Sequence, residues 1–337
     1  MSGADKKLWR RRPPPPRWLA APLGVLVLAV YWPISKLFPK RWPRIVGRAM
    51  TKFLSQFPKA FVPDGRDVLV CSYFKSGTNW TMQIAVQIAH RGQADFEHIH
   101  DLVPWPDMAD SARYAVPLDD DRSGRSAPTG LRVIKTHLAL DALPYSPAGR
   151  YICVVRDPKD VFVSSYHFTR AMGLGPLMPP VDAWLKAYLS PDAPMGSWAR
   201  HLASGWSLRE RGNVLFLTYE SMRADLGAAV DKIAAFMGVA LTAEERVSVI
   251  ERSSFAYMKK IEHKFEASGA PWAKEKGSMM RRGQSGASAE LITPEQQRRI
   301  DDYWRAELDR LGCDFPYEAA FNRENGSSPS FSATMRR

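Results

Sequence analysis

With 337 residues and 45% hydrophobic side chains, the chain holds enough apolar material for one large α/β domain or two small ones, which excludes wholesale disorder. The formal net charge of +12 is confined to residues 1–66, which carry 14 Lys and Arg against Asp5 and Asp64; residues 67–337 carry 33 basic and 33 acidic residues. A balanced main domain argues against nucleic acid as a partner, because that would require a basic face.

Residues 1–17 are a basic, proline-rich lead (KKLWRRRPPPPR) expected to be disordered. Trp18–Ser35 is an uncharged run between Arg17 and Lys36. At about 1.5 Å per residue it reaches roughly 27 Å, marginal for a bilayer core. Trp18, Tyr31 and Trp32 resemble an aromatic belt, Pro22 and Pro33 weaken a single straight helix, and no small-residue cleavage site follows. The next stretch, RWPRIVGRAMTKFLSQF, is basic and amphipathic enough to lie on an anionic membrane surface. Residues 18–57 are therefore read as a membrane-surface segment; the competing reading is a buried helix with solvated arms, packed on the main domain.

From residue 67 strands alternate with helices. Asp67–Tyr73 (DVLVCSY) is a short apolar strand, followed by a helix over Thr78–His90. Leu131–His137 and Tyr151–Arg156 are two more strands, and Asp157 caps a helix that Pro158 opens and that runs to about Arg170. Asn213–Tyr219 is a fourth strand, followed by a helix over Ala224–Met237. Fully apolar strands separated by helices predict a mostly parallel sheet covered on both faces, with ligands at the carboxyl ends of the strands. Cys71 and Cys153 fall in the apolar runs and Cys313 stands apart, so buried thiols in a reducing, cytoplasmic compartment are expected rather than a disulfide framework. Residues 263–293 are polar and rich in Gly and Ser, which predicts a flap.

The first strand ends in Lys75-Ser76-Gly77-Thr78-Asn79-Trp80 and leads straight into a helix. A small-residue turn at a helix N-terminus aims N–H groups at one spot, which suits a phosphate, although an ordinary βα turn reads the same way. It is not a Walker A loop, which needs an upstream Gly and the order Gly-Lys-Ser/Thr. Arg156 at the end of the third strand and Ser164, eight residues on, can grip a second phosphate. Lys135 and His137 lie two apart on one strand and share a face. There the imidazole can take a proton from a hydroxyl while the cation neutralises charge on a leaving oxygen. No acid stands like a Walker B ligand after Tyr151–Val155 and no cluster suits a metal, so none is expected.

Taken in order, KSGTNW, IHDLVPW, KTHLAL, RDPKDVFVSSYHF, GSW with His201, LFLTYE, SSFAYMKK and MMRRG resemble the cytosolic-type sulfotransferases over roughly residues 67–315. The resemblance implies one three-layer, P-loop-like α/β domain, preceded by the segment 1–66 and followed by a tail, 316–337, expected to be disordered. It implies 3′-phosphoadenosine 5′-phosphosulfate (PAPS) as co-substrate, with its 5′-phosphosulfate end on residues 75–80 and its 3′-phosphate on Arg156 and Ser164. It places Trp80, Tyr219, Ser253 and Phe255 around adenine and ribose, and Arg281, Arg282 and Gly283 as the closing contact. His137 matches the catalytic base, and Lys75 and Lys135 match the residues that stabilise the transferring group. The chain departs from the family at Phe74, where proline is usual, and at Gly286-Ala287-Ser288-Ala289, where Gly-x-Trp-Lys is usual; the dimerisation signature near residues 264–276 is not recognisable.

A P-loop kinase shares the strand–loop–helix site but needs magnesium and a Walker-type loop. A non-catalytic, nucleotide-binding membrane adaptor is the alternative of another class, and intact Lys75, Lys135, His137 and Arg156 argue against it. The acceptor pocket is expected from residues 92–130 and 171–197, where His98, His100, Trp105, Met108, Met172, Leu174 and Met178 suit a lipophilic alcohol or phenol.

Overall fold

The computed structural model describes residues 11–12, 17–108, 110–120, 124, 126–265, 270, 272, 280 and 286–321. Four strands, Asp67–Ser72 (β1), Arg132–Thr136 (β2), Arg150–Val155 (β3) and Val214–Thr218 (β4), form one sheet in the order β2-β1-β3-β4. Every neighbouring pair is parallel. The chain steps from β1 outward to β2, then returns to the other side of β1 for β3. That reversal opens a crevice at the carboxyl ends of β1 and β3, where an open α/β sheet binds its ligand.

The apolar strand runs are buried on both faces because helices cover both. Alternate residues serve opposite cores: Val68, Val70, Ile152 and Val154 pack with Met82, Ile84 and Ile88 of the helix Thr78–Ala89 (here α3). Leu69, Cys71, Tyr151 and Cys153 face the other side. Cys71 and Cys153 are register partners, both buried and both free thiols. A second core, rich in aromatic rings, gathers Phe162, Trp184, Trp198 and Trp304 behind the helix Pro158–Thr169 (here α4). The Asp157 carboxylate caps that helix, accepting from Lys159 N at 2.8 Å. It continues into a π-helical turn, Arg170–Leu174.

Three expectations need correction. The helix predicted over Ala224–Met237 begins at Leu226, where Asp225 caps it through Ala228 N, and a separate short helix, Tyr219–Ala224, precedes it. Residues 316–337 are not all tail: Tyr317–Phe321 is helical, and the Tyr317 hydroxyl donates to the Asp301 carboxylate at 2.7 Å under a Trp198 contact. Finally, Arg17–Leu37 (α1) is one helix with Pro22 and Pro33 inside it. Each proline costs one backbone hydrogen bond, but Val27, Leu28 and Ile34 pack on the aromatic core and brace the helix. The following helix, Trp42–Phe53 (α2), buries Trp42 and Val46 in the same core, and Trp42 Nε1 donates to the Leu177 carbonyl at 2.9 Å. The N-terminal segment is thus docked on the main domain. Among the described residues no helix is long and apolar enough to cross a membrane.

Candidate active site

Both phosphate-type turns open on the predicted crevice. In the first, Lys75 has φ 65 and Gly77 φ 95, and the bend starts α3 directly above the turn. Glycine is required at 77, since a Cβ there would stand 2.7 Å from the Tyr219 ring. Ser76 is fully buried and its hydroxyl has no hydrogen-bond partner, while the Thr78 hydroxyl shares a 2.6 Å hydrogen bond with Ser72. A buried, orphaned hydroxyl beneath a helix N-terminus is a ready donor for an anionic oxygen. In the second turn Arg156 lies over the Tyr219 ring at 4.4 Å, pairs with Asp160 at 3.2 Å and donates to the Lys75 carbonyl at 3.4 Å. The two turns are therefore in contact.

One cleft of about 790 Å³ is bordered by Lys75, Gly77, Thr78, Asn79, Trp80, Arg156, Ser164, Tyr219 and Phe255 from the nucleotide-type positions, and by Lys135 and His137. Trp80 and Tyr219 meet edge-to-face at 5.5 Å. Ser253 does not border the cleft. It is buried with its carbonyl accepting Trp80 Nε1 at 2.8 Å and its hydroxyl unpartnered, and Ser254 borders the cleft instead. Arg281, Arg282 and Gly283 lie outside the described residues. Gly286, just beyond them, donates its N–H to the Asp160 carboxylate at 3.0 Å, which ties the end of the flap to Arg156's partner.

At the other end of the cleft His137 Nδ1 stands 2.9 Å from the Ser72 carbonyl oxygen. A carbonyl only accepts, so Nδ1 carries the proton and Nε2 keeps its lone pair. Burial, then the nearby Lys135 charge, holds the imidazole well below its ordinary pKa, so it is a neutral base at pH 7. Lys135 Nζ sits 3.3 Å over the Trp105 ring. Burial lowers it to about 7, against the opposing pull of Asp107. Lys75 Nζ lies 4.3 Å over the Phe168 ring, and burial, then Arg156, lowers it to about 8. Arg156 depresses Lys75 and Lys75 depresses Lys135, an arrangement that an entering anion relieves.

Of the residues expected around the acceptor, His98, His100, Trp105, Met108, Met172 and Leu174 border the cleft. Met178 does not; it packs on the aromatic core. Sequence reasoning marked Phe74 only as a departure and missed Phe168, which meets it edge-to-face at 5.3 Å, and the wall formed by Met50 and Phe53 of α2 with Leu54 just after it. Phe168 sits one helical turn after Ser164, a spacing that points both to one face. Asp107 was missed as well: it accepts from His137 N, the Thr136 hydroxyl and Trp105 Nε1. Among the described residues no group of His, Cys, Asp and Glu could hold a metal ion.

The sulfotransferase domain family model matches residues 65–312. Human sulfotransferase 1C2 is 26% identical over 263 residues, covering 75% of this chain and 86% of that protein. The 3-beta-hydroxysteroid sulfotransferase of Cavia porcellus is 30% identical over 217 residues, 63% of this chain and 72% of that one. The crystal structure of mouse sulfotransferase SULT7A1 complexed with PAP superposes with a TM-score of 0.58 at 26% identity, covering 77% of this chain and 90% of that one. Retinol dehydratase in complex with androsterone and PAP shares the fold, with a TM-score of 0.59 at 19% identity over 81% of this chain and 88% of that one. A family match spanning both phosphate-type turns and the Lys135–His137 pair settles the assignment: the chain belongs to the sulfotransferase family, of the cytosolic type.

Proposed function

We propose that this sulfotransferase moves the sulfuryl group of PAPS to the hydroxyl of a lipophilic alcohol or phenol, or to an amine, with His137 as general base. The observation that carries the reading is the His137 tautomer: Nδ1 is committed to the Ser72 carbonyl, which leaves Nε2 as a proton acceptor in a cleft shared with Lys75 and Lys135. His137 Nε2 takes the acceptor's proton as its oxygen attacks sulfur in line. The new O–S bond forms as the S–O bond to the 5′-phosphate breaks, and 3′-phosphoadenosine 5′-phosphate (PAP) leaves with the electron pair. Lys75 and Lys135 neutralise charge on the departing oxygen and the sulfuryl group.

The donor would lie across both turns. Residues 75–80 would receive the phosphosulfate, Arg156 and Ser164 the 3′-phosphate, and Trp80, Tyr219 and Phe255 the base and sugar. Ser253 would contribute through its hold on Trp80, and Arg281, Arg282 and Gly283 would close over the 3′-phosphate. The orphaned Ser76 hydroxyl supports this placement. The sulfuryl group carries less charge than a γ-phosphoryl, so Lys75 and Lys135 meet the need for neutralisation there and the reading is metal-free. An acceptor end lined by Phe74, Trp105, Met108, Phe168, Met172 and Leu174 favours apolar alcohols over sugars. The exposed apolar side chains of α1 and α2 support contact with a membrane surface through residues 18–57, and the buried free thiols Cys71 and Cys153 support a cytoplasmic location.

The test is single-turnover assay with PAPS and a panel of alcohols in the presence of a magnesium chelator. Sulfonated product from lipophilic alcohols, abolished in His137→Ala, supports the reading. Turnover only of hydrophilic sugars, or dependence on magnesium, overturns it.

A further inference from the structure

The acceptor end of the cleft is closed by a helix that also carries the most unusual surface of the molecule. Met50 and Phe53 of α2 and Leu54 just after it border the cleft, yet Phe53 is 47% exposed. Along the outer side of α2, residues four apart form two adjacent rows: Ile45, Ala49 and Phe53, all exposed and apolar, and Arg44, Arg48 and Lys52, all exposed and cationic. The apolar surface continues onto α1 and the turn after it, where Val25, Leu26, Val30, Trp32, Leu37 and Phe38 are exposed, Leu37 at 73% and Leu26 at 62%. Lys36 and Lys40 lie among them, and no Asp or Glu occurs between Asp5 and Asp64. Arg48 pairs with Asp192 at 2.8 Å, and Arg44, Lys52, Lys36 and Lys40 add positive charge to a face that also exposes broad apolar surface.

We infer that the α1–α2 face seats the protein on an anionic lipid bilayer, and that a bilayer-resident alcohol enters the cleft past Phe53 without crossing water. The inference rests on the reading of the cleft as an acceptor site. Charge complementarity selects an anionic lipid surface as the occupant, because exposed rows of alternating cationic and apolar character match headgroup and acyl boundary together. The position of Phe53 supplies the route: its ring belongs both to the cleft wall and to the outward row. From there Phe74, Met172 and Leu174 line the same cleft as His137, and the Phe74 and His137 rings meet edge-to-face at 5.8 Å.

The experiment uses the full chain with PAPS, hexadecanol embedded in vesicles and hexanol in solution. Vesicles are phosphatidylcholine alone or phosphatidylcholine mixed with phosphatidylglycerol. The protein is expected to co-sediment with the mixed vesicles and to be released by salt. Hexadecanol sulfonation should rise at least about ten-fold on mixed vesicles over neutral ones, whereas hexanol turnover should not change. A Leu26→Glu, Leu37→Glu double variant, altered outside the cleft, should lose co-sedimentation and the vesicle enhancement while retaining hexanol turnover. Phe53→Glu should lose hexadecanol turnover more than membrane binding. Hexanol turnover with no co-sedimentation, or with hexadecanol rates indifferent to vesicle charge, overturns the inference and leaves the sulfotransfer reading standing. Absence of turnover with either alcohol overturns the acceptor reading and the route with it, and co-sedimentation then decides the bilayer contact by itself.

Discussion

The Asp107 carboxylate accepts the backbone N–H of His137 at 2.6 Å and the Thr136 hydroxyl at 2.9 Å. One buried acid thereby fixes the strand end on which both His137 and Lys135 sit. Burial raises Asp107 to about 6, and burial lowers Lys135 to about 7 while Asp107 opposes the fall. The carboxylate is charged above its pKa and the ammonium below its own, so the doubly charged pair is fullest in the window between those values. The value of kcat/KM for the donor should therefore be bell-shaped, with apparent limbs belonging to the pair. His137, neutral throughout this range, should add none. Asp107→Asn should remove the acid limb and move the alkaline limb to lower pH, because Lys135 loses the charge that supports it. Rate profiles of the two proteins test this, and an unmoved alkaline limb would refute it.

Removing the base should leave the nucleotide site intact. His137→Ala is expected to lower kcat by about 10²- to 10⁴-fold with PAP affinity unchanged, as read by calorimetry beside single-turnover rates. A matching loss of PAP affinity would show that the ring supports the fold instead.

The donor's anionic groups should depend on the contacting turns. Lys75→Ala and Arg156→Ala should each weaken PAP binding by roughly 10- to 100-fold, the effect of losing a charged hydrogen bond worth about 1.5–3 kcal/mol. Added salt should weaken wild-type binding more than either variant's. Titration without magnesium measures all three.

Gly77→Ala places a Cβ 2.7 Å from Tyr219 at a φ of 95. The expected result is a melting temperature lowered by the strain, about 1–2 kcal/mol for a left-handed residue with a side chain. The greater loss should be in PAP affinity, because Tyr219 is displaced from beneath Arg156. Thermal denaturation and titration of one preparation separate the two effects.

The strands were legible to within a residue or so because a parallel strand covered on both faces must read as an unbroken apolar run, as VLVC and ICVV do. The first turn was legible as small residues at a strand-to-helix junction and the second as Arg156 ahead of a helix capped by Asp157, although neither pattern alone singles out a phosphate. What stayed hidden depends on tertiary contact. Asp107 lies in a proline-flanked loop with no periodicity, and its role exists only once β2 runs beside it. Ser253 and Ser254 are indistinguishable until α3 fixes Trp80 against one carbonyl. Pro22 and Pro33 signal a break locally, and packing of Val27 and Ile34 overrides them. The α2 wall could not be placed on the cleft, since nothing in residues 42–54 announces a partner that lies beyond residue 73.

The helix that carries Ser164 and Phe168 passes into the π-helical turn Arg170–Leu174, which itself brings Met172 and Leu174 to the cleft. A π-turn holds one more residue than the α-helical repeat. Deleting a single residue there would rotate everything that follows by about 100°, sweeping Met172 and Leu174 off the wall while Ser164, upstream, kept its place. A one-residue change at this point would therefore redraw that wall of the cleft while leaving Ser164 and the two phosphate-type turns where they are.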